Sequence, residues 1–513
     1  MNAMALIAPG AFLWITFQLQ AAQTGPDGKT STAFDTWPGL LFALCAAMLT
    51  AIAYSEMAKI YPDAGYGSAY YFADKTFLDH EEHGKGHEKF ARLAKLVTGW
   101  AAHLFYWVYP GVMVAMMATL ISYMYGVFVD GASLTIPMQI AVAVVFALIC
   151  GAISARGIQG SVMTCIVCNI LQWIMIAIFC VLAVMYRLHA PDGAHFVMAP
   201  DKSVPGFSGA ADIMMPHAMS GVLFQATIAI LVLVGFESCT ALGAEAKDPK
   251  HSVPKGVIIS LIVQGWICYL LEYFCACYAV SDKLVYDTTD ATTKAVTHNY
   301  GMAAAGASSA PIGDMMKLFG DSLFHAGVGK YLTIMMGITV ILAVLGTTLA
   351  CLNTGVRVTY AMAKDEEMPE LLGLMHGKFG TPIAATWMLT IVSAIIGGYG
   401  VTSVVGLTGI SISSNLGTFI LYTLICIWTI IAFWKRAERN VLKHVLIPIV
   451  GLIMNVLLAA TILFLSFASG GDSAKEGKVA LIFAGVSALM TIVWVIVNSA
   501  KSGRKLVPSK SIA

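Results

Sequence analysis

The sequence predicts an all-α integral membrane protein of twelve transmembrane helices, and three observations carry that expectation. Hydrophobic residues make up 58% of the 513 and charged residues only 12%, where an ordinary soluble domain is roughly 25% charged. Mean hydropathy is +0.78, and apolar runs long enough to cross ~30 Å of hydrocarbon follow one another from end to end. Two of those runs, five spans apart, are interrupted by helix-breaking residues. A soluble chain of this length would divide into domains joined by polar linkers; a single polytopic domain is the simpler reading. A net charge of +1 gives no large field of one sign, so nucleic acid is not an expected partner.

Apolar runs between polar punctuation place spans near 2–22, 38–61, 96–128, 136–155, 158–187, 218–246, 254–280, 329–352, 382–400, 403–434, 445–467 and 478–499. An even number of spans puts both termini on one side, and the bias of basic residues decides which. The loops after the even-numbered spans, with the C-terminal tail, hold 21 of the 30 Lys and Arg, among them Lys89, Lys364, Arg436 and Lys505. Both termini are therefore expected in the cytoplasm, and the chain in the cytoplasmic membrane. No cleavable leader is expected: the first apolar stretch lacks a basic flank and the usual small-residue cleavage site.

Eleven cysteines raise the question of a disulfide framework or a metal site. Cys45, Cys150, Cys180, Cys268, Cys351 and Cys426 all lie inside apolar runs, where free thiols pack as small hydrophobes. Cys165 and Cys168 are spaced as a ligand pair, but no second pair completes a zinc site. The loop from His80 to Glu88 has histidines at ligand-like spacing. Its two glycines leave that spacing without a helix, so a solvated mixed-charge loop is the better reading, and no metal or other cofactor is expected.

Ionisable groups inside lipid are costly and mark candidate functional positions. Glu237, Glu272 and His103 are the clear cases. His103 sits among Trp100, Phe105, Tyr106, Trp107 and Tyr109 and reads as a hydrogen-bonded interface or cavity residue rather than a ligand. Glu272 is a coupling candidate, weighed against a position near enough to the outer interface to snorkel. Glu237 lies in Gly235-Phe236-Glu237-Ser238-Cys239-Thr240, where glycine and small polar residues interrupt an otherwise apolar helix. The first span has its own interruption, Ala8-Pro9-Gly10-Ala11, since proline removes a donor and glycine relaxes the backbone.

A broken membrane helix leaves backbone N–H and C=O groups unpaired, which is tolerated only against protein or a water-filled cavity. Breaks in spans 1 and 6 are what a five-plus-five inverted repeat would show: residues 1–187 as one half, 218–434 as the other, and two added helices over 445–499.

Span 6 and the loop behind it, Gly235-Phe236-Glu237 followed by Ala244-Glu245, Lys247-Asp248-Pro249 and Pro254, resemble the amino acid–polyamine–organocation superfamily of permeases, which share the leucine-transporter-like fold. Tyr54-Ser55-Glu56-Met57 with Pro62-Asp63-Ala64-Gly65 is similar to that family's inner end of span 2. Arg357 to Asp365 with Pro369 is similar to its amphipathic intracellular helix, and Gly380-Thr381-Pro382 to the opening of span 9. The chain departs from the pattern in splitting a glycine pair as Gly65-Tyr66-Gly67, in Ala8-Pro9-Gly10 where a glycine–serine–glycine run is usual, and in having only seven residues before Ala8.

The resemblance implies a secondary transporter, permease or antiporter, that moves amino acids or related amines by alternating access. Carried over by position, Ala8, Gly10 and Ala11 would face an α-carboxylate, the backbone of Leu231, Val232 and Val234 an ammonium group, and Phe236 would be an aromatic gate. Pro9 cannot donate, which keeps an amine or polyamine substrate open. Span 5 has no lysine from Ile158 to Tyr186, so a proton would pass through Glu237 or Glu272; for Glu237 a purely structural hydrogen bond to the break is the competing role. A coupled proton or an exchanged substrate and membrane lipid are the remaining expected partners. A channel would show charge rings or a repeated filter, and an enzyme a nucleophile or metal cluster at one interface; neither pattern is present in the sequence. A non-transporting sensor with the same fold stays open.

Overall fold

The computed structural model describes residues 2–62, 67–79, 88–129, 131–189, 206–289 and 295–507, without some side chains among them, including those of Ala11, Phe12 and Cys165. The histidines His80, His83 and His87, residues 63–66, Lys294 and Lys510 lie outside the described residues. Eleven helices are long and apolar enough to cross a membrane. Span 1 makes the twelfth, split into Asn2–Ile7 and Pro9–Ala22.

The other spans are Thr36–Ile60, Ala91–Phe128, Ile136–Ala155, Ile158–Leu188, the broken Met219–Leu233 and Phe236–Glu245, Pro249–Ala279, Val328–Lys364, Ile383–Gly400, Val404–Ala432, Leu442–Ala468 and Gly471–Ser502. Spans 3 and 6 are the most interior, with 83% of their central stretches buried, whereas for span 12 the share is 11%. A function housed in the protein's interior therefore belongs to the former pair, and spans 4, 11 and 12 face lipid.

Two expected boundaries are corrected. Span 3 begins at Ala91 rather than 96, and span 8 runs unbroken from Val328 to Lys364, so no separate intracellular helix follows it. Both helices continue into the aqueous layer because their charges are paired there. Arg92 holds Glu367 through two nitrogens at 2.7 and 2.9 Å; Lys95 reaches Asp365 at 2.8 Å; Arg357 caps the Asn353 carbonyl at 2.7 Å. A hydropathy reading stops at the first charge, and these helices do not.

The basic residues gather at one end of the bundle. There the short helix Ala69–Leu78 packs on span 3, Arg436 pairs with Asp79, and Arg504 holds Glu366 at 2.8 Å. At the opposite end the segment between spans 7 and 8 forms a hairpin, β1 (Val285–Thr289) against β2 (Val296–Tyr300), followed by helices Gly301–Ala307 and Pro311–Leu323. The sequence reading passed over this segment as a loop.

Candidate functional site at two broken helices

The first break turns on Ala8, whose φ of 29° and ψ of 70° lie in the left-handed region, at a cost of roughly 1–2 kcal/mol for a residue with a Cβ. Pro9 forces the strain onto its predecessor: it opens the second half-helix, where a missing N–H costs nothing, and bars the residue before it from the right-handed helical region. Side chains from distant spans take up the freed backbone groups. Gln264 donates to the Met4 carbonyl at 3.0 Å, Thr347 to that of Ala5 at 2.9 Å and Tyr269 to that of Ile7 at 2.6 Å. On the other side of the break the Gly10 amide donates to Oε1 of Gln172 at 3.1 Å. Each such bond contributes about 1 kcal/mol net, and leaving one of these groups unpaired in hydrocarbon would cost several.

Gln264 and Tyr269 reach the break from a widened, π-type stretch of span 7, Ile262–Tyr269. Such bulges are frequent at functional positions because they re-aim side chains without ending the helix. Gln264 also donates to Asn169 at 2.7 Å and accepts from Trp173 at 2.8 Å, so span 5 braces the same point.

The second break turns on Gly235, with φ of 115°, a conformation that suits glycine alone. Its amide donates to Oε2 of Glu237 at 3.1 Å. The same oxygen accepts from the Tyr422 hydroxyl at 2.8 Å, and Oε1 from that of Tyr106 at 2.9 Å. Glu237 is thus a fully buried carboxylate that ties span 6 to spans 3 and 10, in the first turn of a half-helix whose positive end favours a negative charge. Just before the break, the Tyr109 hydroxyl donates to the Leu231 carbonyl at 3.1 Å. Phe236 is enclosed, its ring 5.2 Å from Tyr422 and 6.1 Å from Tyr54.

The two breaks meet. A Cβ placed on Gly235 would lie 2.4 Å from Cδ2 of Leu6, in the last turn of the first half-helix. Of the residues expected to form the site, Ala8, Pro9, Gly10, Leu231, Val232, Val234, Gly235, Phe236 and Glu237 are all buried at this junction; the side chain of Ala11 lies outside the description. Two of the backbone groups expected to face a substrate have protein partners in this structure. The Ala8 amide closes the first half-helix on the Met4 carbonyl at 3.1 Å, and the Gly10 amide is engaged by Gln172.

Glu272, weighed as a coupling candidate against a place at the outer interface, lies inside the bundle: it is fully buried, and among the described residues neither carboxylate oxygen has a hydrogen-bond partner. Cys268 and Cys275 stand four residues before it and three after it on the same helix. His103 fits its expectation, buried and stacked on Trp107 at 4.5 Å. Among the described residues the cysteines are free, and no group of His, Cys, Asp and Glu is arranged to hold a metal ion.

Sequence reasoning missed Gln172, Gln264, Tyr106, Tyr109, Tyr269, Tyr422 and Thr347. A signal existed for two of them: Gln172, one turn after Asn169, and Gln264 are uncharged polar residues with two hydrogen-bonding ends inside otherwise apolar spans, and such residues must find partners there.

A bundle of twelve spans whose first and sixth are broken at a shared, buried junction defines a membrane transporter rather than an enzyme. Residues 11–497 match the family described as amino acid permease. The chain belongs to that family, within the amino acid–polyamine–organocation superfamily. It is 25% identical to a methylthioribose transporter of Bacillus subtilis, over 61% of this chain and 56% of that one. It is 22% identical to the low-affinity putrescine importer PlaP of Escherichia coli, over 83% and 78%. To the branched-chain amino acid permease BcaP of Lactococcus lactis it is 26% identical, over 71% and 68%.

Proposed function

We propose that this secondary transporter carries an amino acid or a related amine across the cytoplasmic membrane, seated between the two breaks. The observation that carries the reading is that both breaks are buried against each other, with side-chain groups on the backbone atoms a substrate would use. The amide oxygen of Gln172 occupies the place of a carboxylate oxygen at the Gly10 N–H. The Tyr109 hydroxyl occupies the place of an ammonium donor at the Leu231 carbonyl. A zwitterion entering here would exchange these bonds for its own, with Ala11 completing the carboxylate side, Val232 and Val234 the ammonium side, and Phe236 closing over it. Residues 1–187 and 218–434 would then act as two repeats rocking about this point, with 445–499 outside them.

An amine substrate is the second reading. Pro9 removes one amide from the carboxylate side, and the relative aligned over 83% of this chain is named a putrescine importer. Uptake by proteoliposomes offered branched-chain amino acids, other amino acids and putrescine is expected to show one accumulated class, competed by its own members. Binding without uptake of any member would make the chain a sensor and overturn the transport reading.

The basic end of the bundle is proposed to face the cytoplasm, with both termini there. An impermeant thiol reagent is expected to label a cysteine introduced at Lys505 only in inverted vesicles and one at Lys475 only in intact cells. The reverse pattern would invert the orientation.

A further inference from the structure

Span 12 leans on span 3 at the basic end, and between them lies a groove of about 420 Å³ in which Leu93, Val97 and Trp100 face Ala488, Ile492 and Ile496. Its lining is apolar apart from the indole N–H of Trp100 and Thr491, whose hydroxyl is already spent on the Ser487 carbonyl at 3.0 Å. It does not end at the surface. Leu96, Thr491 and Val495 also wall a second cavity of about 200 Å³ that continues inward to His103 and Trp107.

The groove has a defined depth and a defined mouth. Lys89 lies in the short 3-10 turn Glu88–Phe90 that leads into span 3, four residues before Leu93, with its ammonium 5.1 Å from the centre of the Phe90 ring. From Ala91 to Trp100 the helix rises about 14 Å at 1.5 Å per residue, close to the depth of one leaflet of a ~30 Å core. The other side of the mouth is the tail after span 12. Arg504 is pinned there by Glu366 at 2.8 Å and by the Asp365 carbonyl at 3.1 Å, and its own carbonyl accepts from Arg92 at 2.6 Å. Leu506 turns back to line the groove, which sets Lys505 at its rim.

Among the described residues the charge at that rim is unbalanced. Glu366 and Glu367 are taken by Arg504 and Arg92, and among the described residues neither Lys89 nor Lys505 has an ion pair. We infer that the groove between spans 3 and 12 binds one anionic phospholipid, an acyl chain along Val97 and Ile492 and the phosphate between Lys89 and Lys505. Each lysine near a membrane surface favours an anionic headgroup, whereas a zwitterionic headgroup adds a cation to a rim that already has two. A second copy docked by a two-fold axis through this face would bring the same lysines together without acids to meet them. The site is independent of which substrate the breaks take.

The full chain in detergent, titrated with phosphatidylglycerol or with phosphatidylcholine of the same acyl chains and followed by native mass spectrometry, tests this. One phosphatidylglycerol is expected to be retained about tenfold better than phosphatidylcholine. Lys89→Glu with Lys505→Glu should erase the preference. Lys89→Arg with Lys505→Arg should keep it, and so should Lys501→Glu, whose helix face is that of Val493 and Val497. Ala488→Trp, which fills the groove, should reduce retention of both lipids; the lysine variants decide the matter if that protein fails to insert. Equal retention of the two lipids, or a preference that survives the double glutamate change, overturns the inference. So does cross-linking between copies through a cysteine at Ile492 in phosphatidylglycerol vesicles, which would give the groove to a second protomer.

Discussion

Gly10→Leu is expected to reduce uptake by more than about a hundredfold while the protein still folds and inserts. A Cβ at Gly10 would stand 2.8 Å from Cγ and 3.0 Å from Cβ of Gln172, and all three of its nearest neighbours belong to that one flexible side chain. The first clash therefore falls at the root of the Gln172 side chain rather than on helix backbone, and span 5 must give slightly to admit the new group. The space a ligand needs beside the Gly10 amide does not survive, and a displacement of about 1 Å at a binding centre is enough for a hundredfold loss. Gly10→Ala should be intermediate, and adding Gln172→Ala to it should restore part of the uptake by returning room. Because the residues touch, their effects should not add. Wild-type uptake by Gly10→Leu at equal expression would remove the first break from the site.

That experiment uses a position legible in the sequence, and its partner was not. Pro9-Gly10 and Gly235 announce breaks because proline and glycine act on the backbone locally, and the twelve spans announce themselves by length and hydropathy. Which residue bears the positive φ was less plain. Ala8 takes it, with φ of 29°, because proline dictates the conformation of the residue before it. The groups that cap the breaks could not be read at all. Gln172 meets Gly10 across 162 positions and Thr347 meets Ala5 across 342, so only the packed bundle pairs them. The π-type stretch of span 7 has no local signature either, since its extra residue is accommodated by neighbours rather than demanded by Ile262–Tyr269. The hairpin differs: Val285–Thr289 and Val296–Tyr300 are rich in β-branched and aromatic residues, a signal present but outweighed by the search for spans.

Glu272→Gln is expected to flatten the pH profile of uptake, and Glu237→Gln is expected not to. The sequence placed both carboxyl groups inside the membrane and left either able to carry a proton; their surroundings set them apart. Glu237 has three donors, the Gly235 amide and the Tyr106 and Tyr422 hydroxyls. Those donors tie the carboxyl group to the geometry of the break. Its glutamine variant replaces one acceptor oxygen with an NH2 facing donors, so it should lose uptake at every pH alike, by about 10- to 100-fold for one or two misdirected buried hydrogen bonds. Among the described residues Glu272 has no donor on either oxygen, and an isolated charge there would cost far more than a neutral acid. A group that is neutral where it is dry and can ionise where it meets water takes up a proton on one side and releases it on the other. If that proton accompanies the substrate inward, wild-type uptake should rise as the external pH falls. Glu272→Gln, permanently neutral, should show the same uptake across the range and should no longer accumulate substrate against its gradient, while exchange of labelled for unlabelled substrate continues. An unchanged pH slope in Glu272→Gln, or a flattened one in Glu237→Gln, would return the coupling role to the clamp between spans 3, 6 and 10.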